Sequence, residues 1–215
     1  MSTPLFIVFE GIDGSGTTTQ VSRLKEFAET ACKVDIVVTR EPGGTPLAER
    51  IRQLVLDPAA VEMHDKTELL LYAASRNQHV NELIAPALKA GKPVLCDRFI
   101  ASSMAYQGYG RGLDLELVEQ INDIAVGACL PDLTIFLDLP VEVASERRRR
   151  RAGEPDRMEG AGGGLQEKVA QAYRNIAILK PQTSLVLDAT QSAEVLADEV
   201  RRQVCYRWSC FPFKN

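Results

Sequence analysis

Long apolar segments are missing from this 215-residue sequence. No stretch approaches the roughly 18 consecutive apolar residues that a membrane-spanning helix needs. The chain also reaches Gly11 after one short apolar run, residues 5–9, without the basic leader and cleavable apolar segment of a secretory signal. These absences predict a soluble, cytoplasmic protein with no membrane partner.

Metal-ligand spacings are missing as well. The cysteines form an odd set without a CxxC pair, and the two histidines, His64 and His79, lie far apart in sequence. Such spacings do not match a zinc site, so reduced thiols in a cytosolic protein are the expected state. The five cysteines are Cys32, Cys96, Cys129, Cys205 and Cys210.

An excess of positive charge is also absent. The formal net charge is −4 and the pI is near 5.4. A protein of this balance does not attract nucleic acid through its overall potential, although a local basic patch is still allowed. We therefore expect no nucleic-acid partner.

The sequence does contain five short apolar runs rich in β-branched residues, separated by longer helical patterns. The runs lack polar alternation, which is typical of strands buried on both faces of a parallel sheet. We therefore predict a single α/β domain over residues 1–215, with a five-stranded parallel sheet flanked by helices. The runs are 5–9, 34–39, 93–97, 133–139 and 184–188.

The stretch from Gly11 to Thr19, GIDGSGTTT, is almost a phosphate-binding loop. The template is Gly, any four residues, Gly, Lys and then Ser or Thr. Gly11, Gly16 and Thr18 fit the template, and Thr17 occupies the lysine position. A glycine-rich turn between a strand and a helix directs several backbone N–H groups at one point, which binds phosphate even without lysine. An ordinary strand-to-helix turn is the competing interpretation.

Three further stretches carry candidate binding residues. Arg40 follows the second apolar run and could reach an anionic substrate. Asp97 ends the third run and could order Mg²⁺, and Arg98 follows it and could grip a phosphate. Tyr72 and Arg76 share a helix face and could form a platform for a flat base. Each stretch also has a structural alternative. The stretch of Arg40 could be only a capped helix start, and Asp97 and Arg98 could form a structural ion pair. Tyr72 could lie at the edge of the core beside a solvated Arg76.

A run of five arginines, Arg147 to Arg151, passes into a glycine-rich stretch that ends at Gly164. The glycines predict a mobile loop, and a charged, mobile excursion from a compact domain often serves as a lid. Glu146 can pair with Arg150 at helical spacing, but most of the charge stays unpaired. A solvated basic face is the alternative for most of these arginines, while one or two could close over phosphates.

Taken in order, these stretches resemble the thymidylate kinases, which phosphorylate dTMP. The resemblance covers nearly the whole chain and implies a P-loop nucleoside monophosphate kinase fold, ATP as the donor, Mg²⁺ as the cofactor and a homodimer. TREPGGT and DRF...S..AYQG are more specific than the phosphate loop, which many nucleotide-binding families share. The matching stretches are FEGIDGSG, TREPGGTPLAERIR, LLLYAASRNQ, DRFIASSMAYQGYGRG, LPDLTIFLDLP, RRAGEPDRMEG and LDATQSAEVL.

The resemblance also implies roles on the ATP side. Thr18 and Asp97 would hold Mg²⁺, directly or through water, and residues 188–191 would lie near the adenine. The lid would span about 147–164. The ATP phosphates would be held by Gly11, Ile12, Asp13, Gly14, Ser15, Gly16, Thr17 and Thr18.

On the dTMP side, the resemblance implies that Asp13, near the sugar 3′-hydroxyl, and Arg98 are catalytic, and that Arg98 also binds the dTMP phosphate. Tyr72 would stack on thymine, and Tyr106 would crowd the space of a ribose 2′-hydroxyl. Arg40 would bind the dTMP phosphate. Arg76 and Ser103 would lie at the thymine base, and Gln107 would lie close to the substrate. The full set of dTMP-binding residues would be Arg40, Tyr72, Arg76, Arg98, Ser103, Tyr106 and Gln107.

Thr17 is where the sequence departs from the family pattern. A cation at the β- and γ-phosphates matters greatly in phosphoryl transfer, and losing one donor without compensation costs on the order of 10²–10³ in rate. The family has a bacterial type that supplies catalytic arginine from the lid, so we expect Arg149 or Arg151 to take over part of the lysine's role. The alternatives are a weak or silent nucleotide-binding relative and a kinase for another deoxynucleoside or nucleotide acceptor.

Overall fold

The centre of the fold is a sheet of five parallel strands, as predicted. The computed structural model describes residues 4–150, 156–158 and 163–207. The strands are β1 (Phe6–Gly11), β2 (Val37–Arg40), β3 (Val94–Asp97), β4 (Leu133–Asp138) and β5 (Ser184–Asp188). Their order across the sheet is β2-β3-β1-β4-β5, so the first strand lies at the centre.

The second strand is shorter than its apolar run. The run begins at residue 34, whereas β2 begins at Val37, which pairs with Val94 at the start of β3. The carbonyl of Pro93, the residue before β3, accepts a hydrogen bond from Val37 N–H. Pro93 has no N–H of its own to donate to a strand. Strand β2 therefore begins where its only neighbour begins.

Helices cover both faces of the sheet. Two π-helical segments, Val80–Ile84 and Met104–Gly110, continue directly from α-helices. Among the described residues, no helix is both long and apolar enough to cross a membrane. The α-helices are α1 (Thr17–Thr30), α2 (Pro46–Leu56), α3 (Asp65–His79), α4 (Ala85–Lys89), α5 (Ile100–Ser103), α6 (Leu115–Val126), α7 (Val141–Arg150), α8 (Gly163–Leu179) and α9 (Ala193–Arg207).

The central strand β1 divides the core into two layers. Ile7 and Phe9 join an apolar cluster with residues of α1, α8 and α9, while Phe6 and Val8 join a second cluster with residues of α3 and α6. All four side chains are fully buried. Alternate side chains of a strand point to opposite faces, so a strand covered on both faces needs an unbroken apolar run.

A charged residue, Glu10, follows these four apolar residues in β1. Its side chain is fully buried and accepts hydrogen bonds from Phe99 N–H at 2.8 Å, Ser102 N–H at 3.2 Å and Ser102 Oγ at 2.6 Å. The Tyr173 hydroxyl on α8 donates a further bond at 3.1 Å. Burial raises the pKa of Glu10 to about 7, against the lowering effect of these donors. One carboxyl group thus links β1 to the start of α5 and to α8.

We predict that Glu10→Gln weakens the pH dependence of stability. Because the pKa of Glu10 is above its ordinary 4.5 in the folded chain, the folded state binds more protons than the unfolded state between about pH 4.5 and 7. The free energy of unfolding therefore falls as pH rises through this window, by roughly 3 kcal/mol from this group. Glutamine keeps an acceptor oxygen for the two backbone N–H groups and has no charge to bury.

Urea unfolding of both proteins at pH 5 and pH 8 measures this difference. The wild-type chain should lose more stability than the variant between the two pH values. An equal loss in both proteins would contradict the assignment of the titration to Glu10.

Candidate active site

A cleft of about 520 Å³ opens at the carboxyl ends of β1, β2 and β3. Its volume lies within the range of roughly 300–1,000 Å³ that is usual for ligand sites. Parallel strands end at one edge of a sheet, so residues that are distant in sequence meet there. The predicted site residues in its wall are Asp13, Gly14, Gly16, Thr17, Thr18, Arg40, Tyr72, Arg76, Asp97, Arg98, Ser103, Tyr106 and Gln107.

The remaining predicted site residues lie elsewhere. Gly11, Ile12 and Ser15 are buried beneath the loop, where they shape its backbone. Arg149 is exposed near the end of α7. Arg151 lies outside the described residues.

The loop between β1 and α1 has the backbone of a phosphate cradle. Gly14 and Gly16 both have φ near +96°, a conformation that side chains strongly disfavour. Gly11 is needed for another reason, since a Cβ there would lie 2.4 Å from Ser15 Oγ and 2.9 Å from Leu137 O. The loop leads directly into the N-terminus of α1 at Thr17, where backbone N–H groups and the helix dipole favour an anion.

Thr18 and Asp97 come together at the cleft edge of the sheet. Thr18 Oγ1 donates to Asp97 Oδ2 at 2.6 Å, whereas Asp97 Oδ1 is buried and has no hydrogen-bond partner within the described part of the chain. An unpartnered carboxylate oxygen beside a hydroxyl fits Mg²⁺, which uses one or two carboxylates together with water and substrate phosphates. No group of three or more His, Cys, Asp or Glu residues that could hold a metal occurs among residues 4–150, 156–158 and 163–207.

Arg98 joins the phosphate loop to the segment after β3. Its φ is +71°, which is rare for a residue with a side chain and is typical of functional positions. The guanidinium forms an ion pair with Asp13 Oδ1 at 2.6 Å and donates to the hydroxyls of Tyr106 at 3.2 Å and Tyr173 at 3.4 Å. Burial raises the pKa of Tyr106, so its hydroxyl stays protonated. These bonds fix the direction of a cation at the cleft wall.

Arg76 is held by a buried polar network that the sequence did not reveal. Its Nε donates to Glu41 at 2.7 Å, and its Nη1 donates to Ser103 Oγ at 2.9 Å and to Asn122 Oδ1 at 2.6 Å. Only 2% of Arg76 is exposed, which overturns the alternative of a solvated arginine. His79, also buried, contacts the other oxygen of Glu41 at 3.0 Å. The only sequence signals were a charged residue directly after β2 and an asparagine on the apolar side of α6.

Gln107 also faces a buried acid. Its amide donates to Glu68 at 2.7 Å, and Glu68 is fully buried while it pairs with Arg111 at 3.0 Å and Arg157 at 2.7 Å. Burial alone would raise the pKa of Glu68, but these donors hold it below its ordinary value. Arg157, which belongs to the predicted lid, is therefore anchored to α3. Glu68 precedes Tyr72 by one helical turn, and this spacing was the sequence signal that could have identified Glu68 as a neighbour of the site.

Two cations line the wall near the end of β2. Arg40 pairs with Glu49 at 2.9 Å, and Glu49 also accepts from Gly44 N–H at 2.8 Å. Arg52, which the sequence did not predict as a site residue, lines the same cleft and donates a hydrogen bond to Pro42 O. Burial and the nearby charge of Arg40 lower the pKa of Arg52. Two neighbouring cations on one wall make a suitable environment for an anionic group.

Arg147 to Arg150 form the end of α7, and helical periodicity divides these four arginines between two sides. Arg148 Nη1 donates to Asp13 O at 2.7 Å, while Arg147 donates to Gly14 O at 3.4 Å and to Ala189 O at 3.0 Å. Arg150 pairs with Glu146, as predicted from their spacing. The two arginines that contact the loop are thus Arg147 and Arg148, and the proposed roles of Arg149 and Arg151 stay predictions.

Known proteins are similar to this chain in sequence and in fold. A family model described as thymidylate kinase matches residues 9–200. Thymidylate kinase from Lactobacillus delbrueckii subsp. bulgaricus is 48% identical over 198 residues, which cover 91% of this chain and 93% of that protein. Thymidylate kinase from Deinococcus radiodurans is 47% identical over 207 residues, which cover 96% and 99%.

A solved structure agrees with these sequence matches. The crystal structure of thymidylate kinase from Ehrlichia chaffeensis superposes with a TM-score of 0.75 and 34% sequence identity, and the match covers 94% of this chain and 99% of that one. Sequence and fold therefore give the same answer over nearly the whole length. The chain belongs to the thymidylate kinase family.

Proposed function

We propose that this chain transfers the γ-phosphate of ATP to dTMP, which gives dTDP for dTTP synthesis. The observation that carries the proposal is the ion pair between Asp13 of the phosphate loop and Arg98, which directly follows the neighbouring strand β3. It brings a candidate acceptor-side cation beside the loop that would hold the donor. The names of the relatives identify the acceptor as thymidylate.

The donor side would use the loop backbone. Gly14, Gly16 and the first residues of α1 would present N–H groups to the ATP phosphates. Thr18 and Asp97 would hold Mg²⁺, which supplies charge neutralisation to those phosphates when bound. The buried, unpartnered Asp97 Oδ1 supports this assignment.

The acceptor side would use the rest of the cleft. Arg98 and Arg40 would bind the dTMP phosphate, and Arg52 adds a third cation to that wall. The half-buried Tyr72 ring would stack on thymine. Arg76 and Ser103, already bonded to each other, would meet the polar edge of the base. The preset hydrogen bonds of these groups support tight positioning, which is most of what a protein does in phosphoryl transfer.

Two further residues would select the sugar and close the base subsite. The ring of Tyr106, packed under the Arg98 guanidinium, would oppose a ribose 2′-hydroxyl. Gln107, held in place by its hydrogen bond to Glu68, would lie beside the substrate. We also propose, from family resemblance alone, a cytoplasmic homodimer.

A nucleotide-binding relative without turnover is the second candidate. Thr17 favours it, because the loop carries no cation of its own at the lysine position. The ion pairs of Arg98 and Arg76 oppose it, because a protein without chemistry to perform has no need to bury and orient these charges at a cleft.

We predict that purified protein releases ADP from Mg·ATP only when dTMP is present. Kinases of this kind turn over at about 1–100 s⁻¹, so a coupled ADP-release assay suffices. EDTA should abolish the release and added Mg²⁺ should restore it. ATP binding without dTMP-stimulated release would support the silent relative, and release with thymidine instead of dTMP would support another acceptor.

We predict that Arg98→Gln lowers kcat/KM for dTMP by about 10²–10³, the usual effect of removing one donor to a developing charge. The variant also leaves Asp13 without its cation. Steady-state kinetics with dTMP varied at saturating ATP measures the loss. Arg207→Gln, at the exposed end of α9, is the matched control. Equal kcat/KM values in the two variants would contradict the assignment of Arg98 to the dTMP site.

A further inference from the structure

The phosphate loop is supported from behind by one face of α7. Ala144, Arg147 and Arg148 are spaced i, i+3 and i+4, so they share that face. A Cβ on Gly14 would lie 2.8 Å from Ala144 O, which shows how closely the loop backbone approaches the helix. The two arginines extend from the same face to the carbonyl oxygens of the loop.

These bonds fix two successive peptide planes. In a trans peptide the carbonyl of one residue and the N–H of the next share a plane and point in opposite directions. Arg148, bonded to Asp13 O, therefore restrains the direction of Gly14 N–H. Arg147 does the same for the next plane, whose Ser15 N–H is bonded to Ile12 O at 3.0 Å. Gly14 has φ near +96°, and a glycine at this position lets the plane turn easily unless something holds it.

We propose that Arg148, supported by Arg147, is a positioning residue that holds the phosphate loop in its ATP-binding form and supplies positive charge that a lysine at position 17 would provide. The inference rests on the proposed binding of ATP by this loop. Arg148 polarises the peptide from the carbonyl side, so that the N–H side becomes a stronger donor to phosphate. It does so from α7, without touching the ligand.

The neighbouring arginines do not fit this role. Arg149 is exposed, Arg150 is paired with Glu146, and Arg157 is anchored to Glu68. Position 17 itself is uncharged, and only 7% of Thr17 is exposed. Within the described part of the chain, Arg147 and Arg148 are the arginines that bond to carbonyls of the loop between Gly11 and Gly16.

The test uses Arg148→Gln, Thr17→Lys and the double variant, with Arg150→Gln as the matched control from the same run. Isothermal titration calorimetry measures the Kd of Mg·ATP and, separately, of dTMP, and thermal unfolding reports folding. Arg148→Gln should weaken Mg·ATP binding about tenfold or more, the usual size for a lost charged hydrogen bond. The Kd of dTMP and the Tm should not change. Adding Thr17→Lys should restore most of the lost affinity.

Three results would overturn the proposal. These are unchanged Mg·ATP affinity in Arg148→Gln, the same loss in Arg150→Gln, and an effect of Thr17→Lys that is equal with and without Arg148. The last result would mean that the two positions are energetically independent. If Arg148→Gln fails to fold, Arg148→Lys decides: its charge stays but its planar fork is lost, so ATP binding should still weaken. Failure of the proposed function would appear differently, as ATP binding by the wild-type chain without dTMP-stimulated turnover.

Discussion

The buried carboxyl group of Glu10 is the interaction on which the site depends. It accepts hydrogen bonds from two backbone N–H groups at the start of α5. It therefore takes the place of the side-chain N-cap that this short helix lacks. Arg98, with its positive φ, sits directly before that helix. A residue in this conformation costs on the order of 1–3 kcal/mol and persists only where its surroundings hold it. Glu10 provides that restraint from the neighbouring strand, and through Tyr173 it also limits the position of the Arg98 guanidinium.

Two further buried acids, Glu41 and Glu68, pair with arginines directly. Glu41 directs Arg76, and Glu68 directs Arg111 and Arg157. A buried acid left without its cation is strongly destabilising, so each pair is fixed as a unit. Among the cations that line the cleft, Arg76 is thus oriented by Glu41 and Arg98 by Asp13. Under the proposed function, phosphate binding would then require little reorganisation of these two side chains, which is how a protein lowers the barrier of a reaction that needs mainly charge and position.

The sequence predicts the sheet and much of the cleft because both follow from strand ends. A parallel strand buried on both faces must be apolar, and the polar residues at its carboxyl end, such as Arg40, Asp97 and Arg98, have to meet at one edge. Glu68, Asn122 and Tyr173 could not be found in this way. They come from helices, and their partners are set by how those helices pack, which local patterns do not determine. Glu10 was hidden for the opposite reason, since it stands within a strand whose other residues are all apolar.

The arginine run shows the limit of sequence reasoning most clearly. Five identical residues in a row carry no signal that distinguishes one from another. The roles of the four in α7, Arg147 to Arg150, depend on the phase of that helix. Ala144 marks that phase, since it is buried and its carbonyl oxygen lies only 2.8 Å from where a Cβ on Gly14 would be. Arg147 and Arg148 lie three and four residues after Ala144, so they share the face that meets the loop, whereas Arg150 pairs with Glu146 along the helix itself. The charge that the loop lacks at position 17 is thereby brought beside it by a helix more than a hundred residues away, and a glycine in the loop makes the approach possible.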